Sequence, residues 1–379
     1  MQSFKAEQAR AVASLRWKAA PKPSGPPFAE IQLLKDAGLV NLLGPSKYGC
    51  GGETWQTSYK VTTEIAKADA SIGHLLGNHY SWFWSSQILG MERQAERWLR
   101  EFTEGNFYLG GAVNPRNADM MAVEDEKENE LDLMFNGDKL FSTGGVISDI
   151  TVLVLEGVLK DGTHVFAYVP TKQPGIGFKG DWDVIGQRLT ESGGCVIRNV
   201  KVPWSEAAGF VDKQLTPRDA YHDFILPPVQ LQSAAVHIGA AIGALEVATE
   251  YTRTKTRTWP YGYGKIQAKI WAAEALIDRT AERVSEAIHA PRSGLTQAAR
   301  GEIAVQVAAS KAEAIETALE ATSKVFEFVG ASGSLNKYGF DQFWRNTRVH
   351  SLHDPIAYKF REVGSWALLK EAPEPSWYT

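Results

Sequence analysis

Leu131-Asp-Leu-Met-Phe-Asn-Gly-Asp-Lys-Leu-Phe-Ser-Thr-Gly-Gly145 is the stretch on which the fold turns. Apolar residues alternate around Asn136-Gly137-Asp138, which predicts a hairpin between strands 131–135 and 139–141. The second strand runs out into hydroxyls and glycines. A turn of that composition brings backbone N–H groups and a hydroxyl close to a flat ligand, because glycine has no Cβ in the way. The same signals recur on either side. Asp161-Gly162 separates Thr151-Val-Leu-Val-Leu155 from Val165-Phe-Ala-Tyr168, and Val196-Ile-Arg-Asn-Val-Lys-Val202 ends at Pro203. From Phe107 to about Pro203 the chain therefore reads as short antiparallel strands with no helices between them, a sandwich or barrel.

Helices flank that region. Trp55, Tyr59, Ile65 and Ala66 recur at roughly helical spacing. Ser71–Leu89 is apolar on nearly every side and predicts a buried helix. A further helix is expected near Met91–Phe102. After Leu215, Ala234–Lys255 is long and rich in small residues that let helices approach closely. Ile266–His289 and Leu295–Val329 continue the helical pattern, broken by Pro291 and Gly294. The expected division is 1–105 helical, 106–212 β and 213–379 helical.

Composition narrows the function. The chain has 379 residues, 44% hydrophobic and 22% charged, with a net charge of −4. These values fit a globular protein and carry no overall basic footprint for nucleic acid. No apolar run reaches 18 residues and no secretory signal is visible at Met1, so neither a membrane span nor export is expected. Cys50 and Cys195 are too few for a disulfide framework, and a reducing, cytoplasmic setting is expected. Gly175-Ile-Gly-Phe-Lys-Gly180 matches a dinucleotide-binding spacing. It is flanked by β signals rather than a strand and a helix, so it reads as a turn. The pairs His74/His79 and His350/His353 have no cysteine company, and no metal is expected.

Three polar stretches carry candidate chemistry. Ile185-Gly-Gln-Arg-Leu-Thr-Glu-Ser-Gly-Gly194 is a polar loop between strands. Arg253 and Arg257 are four apart and share a face if helical, either holding a phosphate or forming a solvated charged face. Tyr338–Pro355 crowds aromatic, arginine and histidine side chains together. His353 precedes Asp354-Pro355, which should end a helix there. A histidine at that position suits proton transfer near neutral pH, with Asp354 fixing its tautomer or raising its pKa, or else it caps the helix.

Phe141-Ser-Thr-Gly-Gly145, Ile185-Gly-Gln-Arg188, Val200-Lys-Val-Pro203 and the helix–β–helix order resemble the acyl-CoA dehydrogenase fold. Ser71-Ile-Gly-His-Leu-Leu-Gly77, Glu250-Tyr-Thr-Arg-Thr254, Val325-Phe-Glu-Phe-Val-Gly-Ala331, Phe343-Trp-Arg-Asn346 and His350-Ser-Leu-His-Asp-Pro355 are similar to its flavin-dependent monooxygenase branch, that of the dibenzothiophene monooxygenases. The resemblance runs over essentially the whole chain. It implies an α+β architecture with an N-terminal helical domain, a central antiparallel β domain and a C-terminal four-helix bundle, assembled as a homotetramer. It further implies reduced FMN, rather than FAD, supplied by a separate NAD(P)H-dependent flavin reductase. O2 would be the co-substrate, and one oxygen atom would pass through a C4a-hydroperoxyflavin to sulfur, nitrogen or activated carbon of a small aromatic or apolar substrate.

Residue by residue, the resemblance places Thr143 beside flavin N5, with Ser142, Gly111, Trp182 and Ser192 around the cofactor. Arg257 falls on its phosphate, His353 is the acid/base residue, and His74 is a catalytic histidine in the pocket. Three departures stand out. Asn78 replaces a pocket tyrosine, Gly111 replaces an asparagine, and Ser332 replaces a second phosphate-binding arginine, for which Lys337 offers compensation. The loop from Trp259 to Lys265 is also shorter. The alternative on this fold is an FAD-dependent acyl-CoA dehydrogenase. That enzyme needs a carboxylate base where this chain has His353-Asp354-Pro355, leaving Asp354 as the only candidate there.

Overall fold

A computed structural model describes residues 25–113, 121–124, 133–155, 162–217, 219–255 and 260–376. Among the described residues four α-helices come first: α1 (Phe28–Asp36), α2 (Trp55–Ala68), α3 (Ala70–Leu89) and α4 (Glu92–Glu104). Asp69 divides α2 from α3. Its extended backbone stops the first helix, and its carboxylate accepts the Ser71 N–H at 2.7 Å to start the second. The buried helix expected at 71–89 is α3, and only His74, Asn78, Trp82 and Gln87 along it are not fully buried.

The strands are β1 (Leu109–Ala112), β2 (Met121–Glu124), β3 (Leu133–Lys139), β4 (Ile150–Leu155), β5 (Val165–Pro170), β6 (Ile176–Phe178), β7 (Cys195–Val202), β8 (Phe210–Val211) and β9 (Gln214–Leu215). They pair as sheets β1-β4-β5, β2-β3-β7-β6 and β8-β9. Strand β5 shows why the layers stack. Val165, Ala167 and Val169 join one apolar cluster with Phe135, Ile197, Val200 and Val202 of the second sheet. Phe166 and Tyr168 point the other way into the helical core. Alternation of period two buries both faces, so the first sheet lies between helices and the second sheet.

Two strand expectations change. Asn136-Gly137 is not a hairpin turn. Residues 133–139 form one strand, with a register shift between Phe135 and Gly137 where it pairs β7. Asn-Gly here serves a bulge, with the Asn136 side chain accepting the Asn199 N–H at 2.8 Å. The β1–β4 ladder is parallel, the one parallel pairing among the described strands. The hairpin expected around Asp161-Gly162 is the antiparallel β4–β5 pair, although residues 156–161 lie outside the described residues. Gly175 is a turn at the foot of β6, with φ of 90°, and no helix follows it.

The C-terminal helices are α5 (Leu226–Arg253), α6 (Pro260–His289), α7 (Gln297–Val329), α8 (Phe340–His350) and α9 (Ile356–Leu369). The 222–253 stretch is long and apolar enough to span a membrane, but 78% of its apolar window is buried inside the fold, as in a core helix. Its small residues do what the sequence suggests. A Cβ on Gly243 would meet the Lys67 carbonyl oxygen at 2.0 Å, and one on Gly239 would meet that of Thr63 at 2.6 Å. Helix α2 therefore lies directly against α5 and joins the N-terminal layer to the bundle. Residues Pro260–Lys265, expected in a loop, are the first turns of α6.

Candidate active site

His74, Asn78 and Trp82 are spaced four apart, so they line one face of α3. Two loops meet that face. Gly144 N–H donates to Thr190 O at 2.9 Å, and Ser142 Oγ donates to Gly193 O at 2.6 Å. The 141–145 and 187–194 loops are thus stitched together. Strand β1 backs the first of them, since Gly111 N–H donates to Thr143 O at 3.1 Å. Asn78 Nδ2 donates to the same carbonyl at 3.3 Å. Glycine is needed at 110, where a Cβ would lie 2.5 Å from Gly144 O.

Thr143 is half-buried, and Ser192 is buried beneath it. Ser192 Oγ reaches Thr143 Oγ1 at 3.0 Å and Thr190 Oγ1 at 2.8 Å, while Thr190 donates to Gln187 O at 2.8 Å. Thr190 spends its proton on Gln187 O, so the single Ser192 proton is shared between the two threonine oxygens, and in so far as Thr143 accepts it the Thr143 proton is free to donate outward. Trp182 closes the loop by donating from its indole to Gln187 O at 2.9 Å, and its half-buried ring meets Phe141 edge-on at 6.4 Å.

Behind this lies a column of imidazoles. The ring of His350 stacks on His74 at 4.1 Å and on His237 at 4.6 Å, with interplanar angles of 22° and 10°. Gln187 fixes the His74 tautomer. Its amide nitrogen donates to Asn346 O at 3.1 Å, so its oxygen faces His74 Nδ1 at 3.2 Å and requires a proton there. Asn346 Oδ1 in turn accepts the Gln187 N–H at 2.6 Å. His237 Nδ1 lies 2.7 Å from Ser233 O and must also be the protonated nitrogen. His237 Nε2 and His350 Nδ1 are buried and have no hydrogen-bond partner among the described residues. Such atoms are uncommon in a folded interior.

Burial lowers the pKa of every histidine in this group. It pushes His74 down to about 4 and His237 to about 3, the latter aided by Lys311 and the neighbouring imidazoles. His350 is driven well below its ordinary value for the same reasons. His353, whose ring is open to solvent yet set deep among protein atoms, falls to about 4 through burial and then Lys311. At neutral pH the column is therefore uncharged.

Asp354 does not serve His353 as expected. Helix α8 stops at His350, three residues early, and His353 N–H donates to His350 O at 3.1 Å in the following turn. The Asp354 carboxylate points instead to Lys311 at 2.9 Å and Lys359 at 3.3 Å, all three side chains being buried. Burial alone would raise the Asp354 pKa, but the two ammonium groups outweigh it and hold it low. Its effect on His353 is smaller than that of burial or of Lys311, so the expected upward shift is reversed. Lys311 also donates to Gln230.

Not every expected residue reaches this place. Arg257, and with it the face expected to be shared with Arg253, lies outside the described residues, and α5 ends at Arg253. Ser332 is exposed just beyond α7. Lys337 lies over the Tyr338 ring at 5.0 Å and Lys255 over Tyr251 at 4.6 Å, and those two rings meet edge-on at 4.9 Å. Two cations thus gather at the end of α5. His79, weighed with His74 as a metal pair, is on the opposite side of α3, with Nε2 donating to Val40 O at 2.8 Å and Nδ1 accepting the Leu109 N–H at 3.0 Å. Sequence reasoning missed His237, Gln187, Asn346 and Lys311 as parts of the site. The available signal for His237 was a lone imidazole in the small-residue run Ala234–Ala244.

A partly exposed hydroxyl and a flat indole, with unpaired ring nitrogens buried behind them, suit a planar heteroaromatic group carrying both donors and acceptors. FMN fits that description. Residues 3–106 match the family description "Acyl-CoA dehydrogenase, N-terminal domain", and 231–357 match "Acyl-CoA dehydrogenase, C-terminal domain". The chain is 36% identical to a dibenzothiophene monooxygenase of Mycolicibacterium goodii, over 93% of this chain and 90% of the relative. It is 30% identical to the probable FMNH2-dependent monooxygenase SfnC of Pseudomonas putida, over 94% and 91% of the two chains. Among solved structures it resembles the FMN-bound dibenzothiophene monooxygenase TdsC of Paenibacillus sp. A11-2, with a TM-score of 0.89, 32% identity and coverage of 100% and 99%. It also resembles the methanesulfinate monooxygenase MsuC of Pseudomonas fluorescens, with a TM-score of 0.91, 30% identity and 99% coverage of both chains.

Proposed function

The chain belongs to the acyl-CoA dehydrogenase-fold flavin-dependent monooxygenases and uses FMN, and from that premise we propose the reaction and the residues that carry it. The FMNH2-dependent relative implies a partner flavin reductase. We read this chain as the oxygenase of such a two-component pair, assembled as a homotetramer. Reduced FMN would supply two electrons to O2, so that one oxygen atom enters sulfur, nitrogen or activated carbon of a small apolar substrate and the other leaves as water.

The observation that carries this reading is the fate of Asp354. A dehydrogenase on this fold needs a free carboxylate to take a proton from carbon. Here the acidic group of the His353-Asp354-Pro355 segment is buried between Lys311 and Lys359 and held ionised by both, and the neighbouring Glu362 carboxylate is itself paired with Lys359 at 3.0 Å. His353, neutral and accessible, is the group left to manage a proton. Thr143 would donate its hydroxyl proton to the cofactor ring, with Ser192 setting the direction of that hydroxyl. Ser142 and Gly111 would shape the cofactor bed through the backbone, because the Ser142 hydroxyl already serves Gly193 O. Trp182 would cover one side of the ring. His74 and Asn78 would face the substrate, and Arg257 with Lys337, beside Ser332, would hold the phosphate.

The test is isotopic. The protein is given photochemically reduced FMN under labelled O2 with dibenzothiophene, indole and methanesulfinate as probes. One labelled oxygen atom per product molecule is expected, with no oxidation of NADH by this chain alone. Oxidation of NADH without a reductase, or FAD-dependent oxidation of an acyl-CoA thioester with a dye as acceptor, would overturn the reading.

A further inference from the structure

We propose that Trp82 is a specificity-determining residue whose indole forms the end wall of the substrate pocket. This rests on the monooxygenase reading only for the meaning of the pocket. The geometry comes from α3. Along that helix the partly open positions 74, 78 and 82 form one line. His74 reaches the imidazole column, and Asn78 reaches the Thr143 loop. Trp82 is the next turn of the same line, two helical turns from His74, or about 12 Å at 1.5 Å per residue.

What Trp82 meets there is Gly111. A Cβ built on Gly111 would lie 2.5 Å from Cε2 and 2.6 Å from both Cζ2 and Nε1 of the indole. The Nε1–Cε2–Cζ2 edge of the Trp82 indole therefore occupies the space a side chain at 111 would take. The wall at this end is supplied by the helix rather than by β1. Trp82 Nε1 is buried and has no hydrogen-bond partner among the described residues. Buried indole N–H groups usually find one. The ring is thus placed by shape against Gly111, with no polar bond to fix it. A ring held only by packing can be shortened without stranding a partner.

The consequence is a limit on length. A compact ring system fits between His74 and Trp82, and a longer one meets the indole. The experiment measures equilibrium binding of indole and dibenzothiophene to the protein loaded with oxidised FMN, without reductant. No turnover occurs, so failure of the oxygenation reading leaves this result intact. In Trp82→Ala the affinity for dibenzothiophene relative to indole is expected to rise at least 10-fold. In Trp82→Phe, which keeps most of the packing, the same ratio is expected to rise about 3-fold. A Trp82 that merely stabilises the fold would lower the melting temperature and move both affinities together. A ratio unchanged within twofold in the folded variants, or no measurable binding of either probe to any of the proteins, overturns the proposal.

Gly111→Ala tests the contact itself. It should lower the melting temperature in the wild-type background and much less beside Trp82→Ala, because the clash then has no second partner. Equal losses in both backgrounds would also overturn the proposal.

Discussion

His79 and His74 sit five residues apart on one helix, and both have pKa values pushed down to about 4 by burial, yet they do opposite things. His79 is finished. Both its ring nitrogens are bonded to backbone, to Val40 O and to the Leu109 N–H, and its ring stacks on Tyr108 at 5.2 Å. It rivets the 39–40 loop and β1 onto α3. His74 has one bond, to Gln187, and opens onto a column in which two other imidazoles each keep a ring nitrogen unpaired. The lowered pKa does not distinguish the two regions. The state of the hydrogen bonds does. A protein interior rarely strands polar atoms, and where it does the atoms are available to something that binds.

The largest effect expected on this view belongs to His353. His353→Phe should cut product formation by about 10²–10⁴-fold, the usual worth of a positioned acid or base. The melting temperature should change little, since the ring is open to solvent. The His79 side should behave the other way round. His79→Phe strands Val40 O and the Leu109 N–H at a cost of roughly 2–5 kcal/mol. Turnover per folded molecule should stay within a few-fold. Equal loss of stability and turnover in both variants would erase the contrast.

A smaller effect separates the regions by pH. His74 and His237 stay neutral in the folded protein down to about 4 and about 3, while unfolded histidine titrates near its ordinary value of about 6.5. Their contribution to stability is complete above pH 6.5. It is lost as pH falls from there toward the folded values, because the unfolded chain then binds more protons. The melting temperature should be flat above pH 7 and fall below 6.5, by an amount worth about 2 kcal/mol for each of the two histidines near pH 5. His237→Phe should flatten that fall, with differential scanning fluorimetry as the readout. An unchanged slope would mean that His237 is not the neutral base of the column.

Much of this was legible in the chain, for reasons that differ by element. The helices at 55–68 and 70–89 and the β4–β5 hairpin announce themselves through local periodicity. The parallel β1–β4 pairing does not. It joins residues 41 apart through the strand Leu109-Gly-Gly-Ala112, which has no alternation to read. Asn136-Gly137 misleads because a bulge and a hairpin turn ask for the same residues. At the site, Thr143 and Ser192 were singled out by the family resemblance rather than by local pattern, and His353 by the Asp-Pro that follows it. His237 and Trp82 did not, because in an apolar helix each reads as core. Trp82 emerges only when Gly111, 29 residues away, is placed against it. Asp354 shows the converse. Its neighbour in sequence suggested a partner, and two lysines from elsewhere in the bundle claimed it.

The most direct measurement mixes the protein holding reduced FMN with oxygenated buffer and follows flavin absorbance in time, for wild type, Thr143→Val and His79→Phe. The account predicts a transient in wild type that is neither reduced nor oxidised FMN, and the same transient in folded His79→Phe. In Thr143→Val it should decay about 5-fold faster with more hydrogen peroxide released, as fits one hydrogen bond of about 1 kcal/mol. Direct conversion of reduced to oxidised FMN in the wild type, with no transient and all oxygen recovered as peroxide, would contradict it.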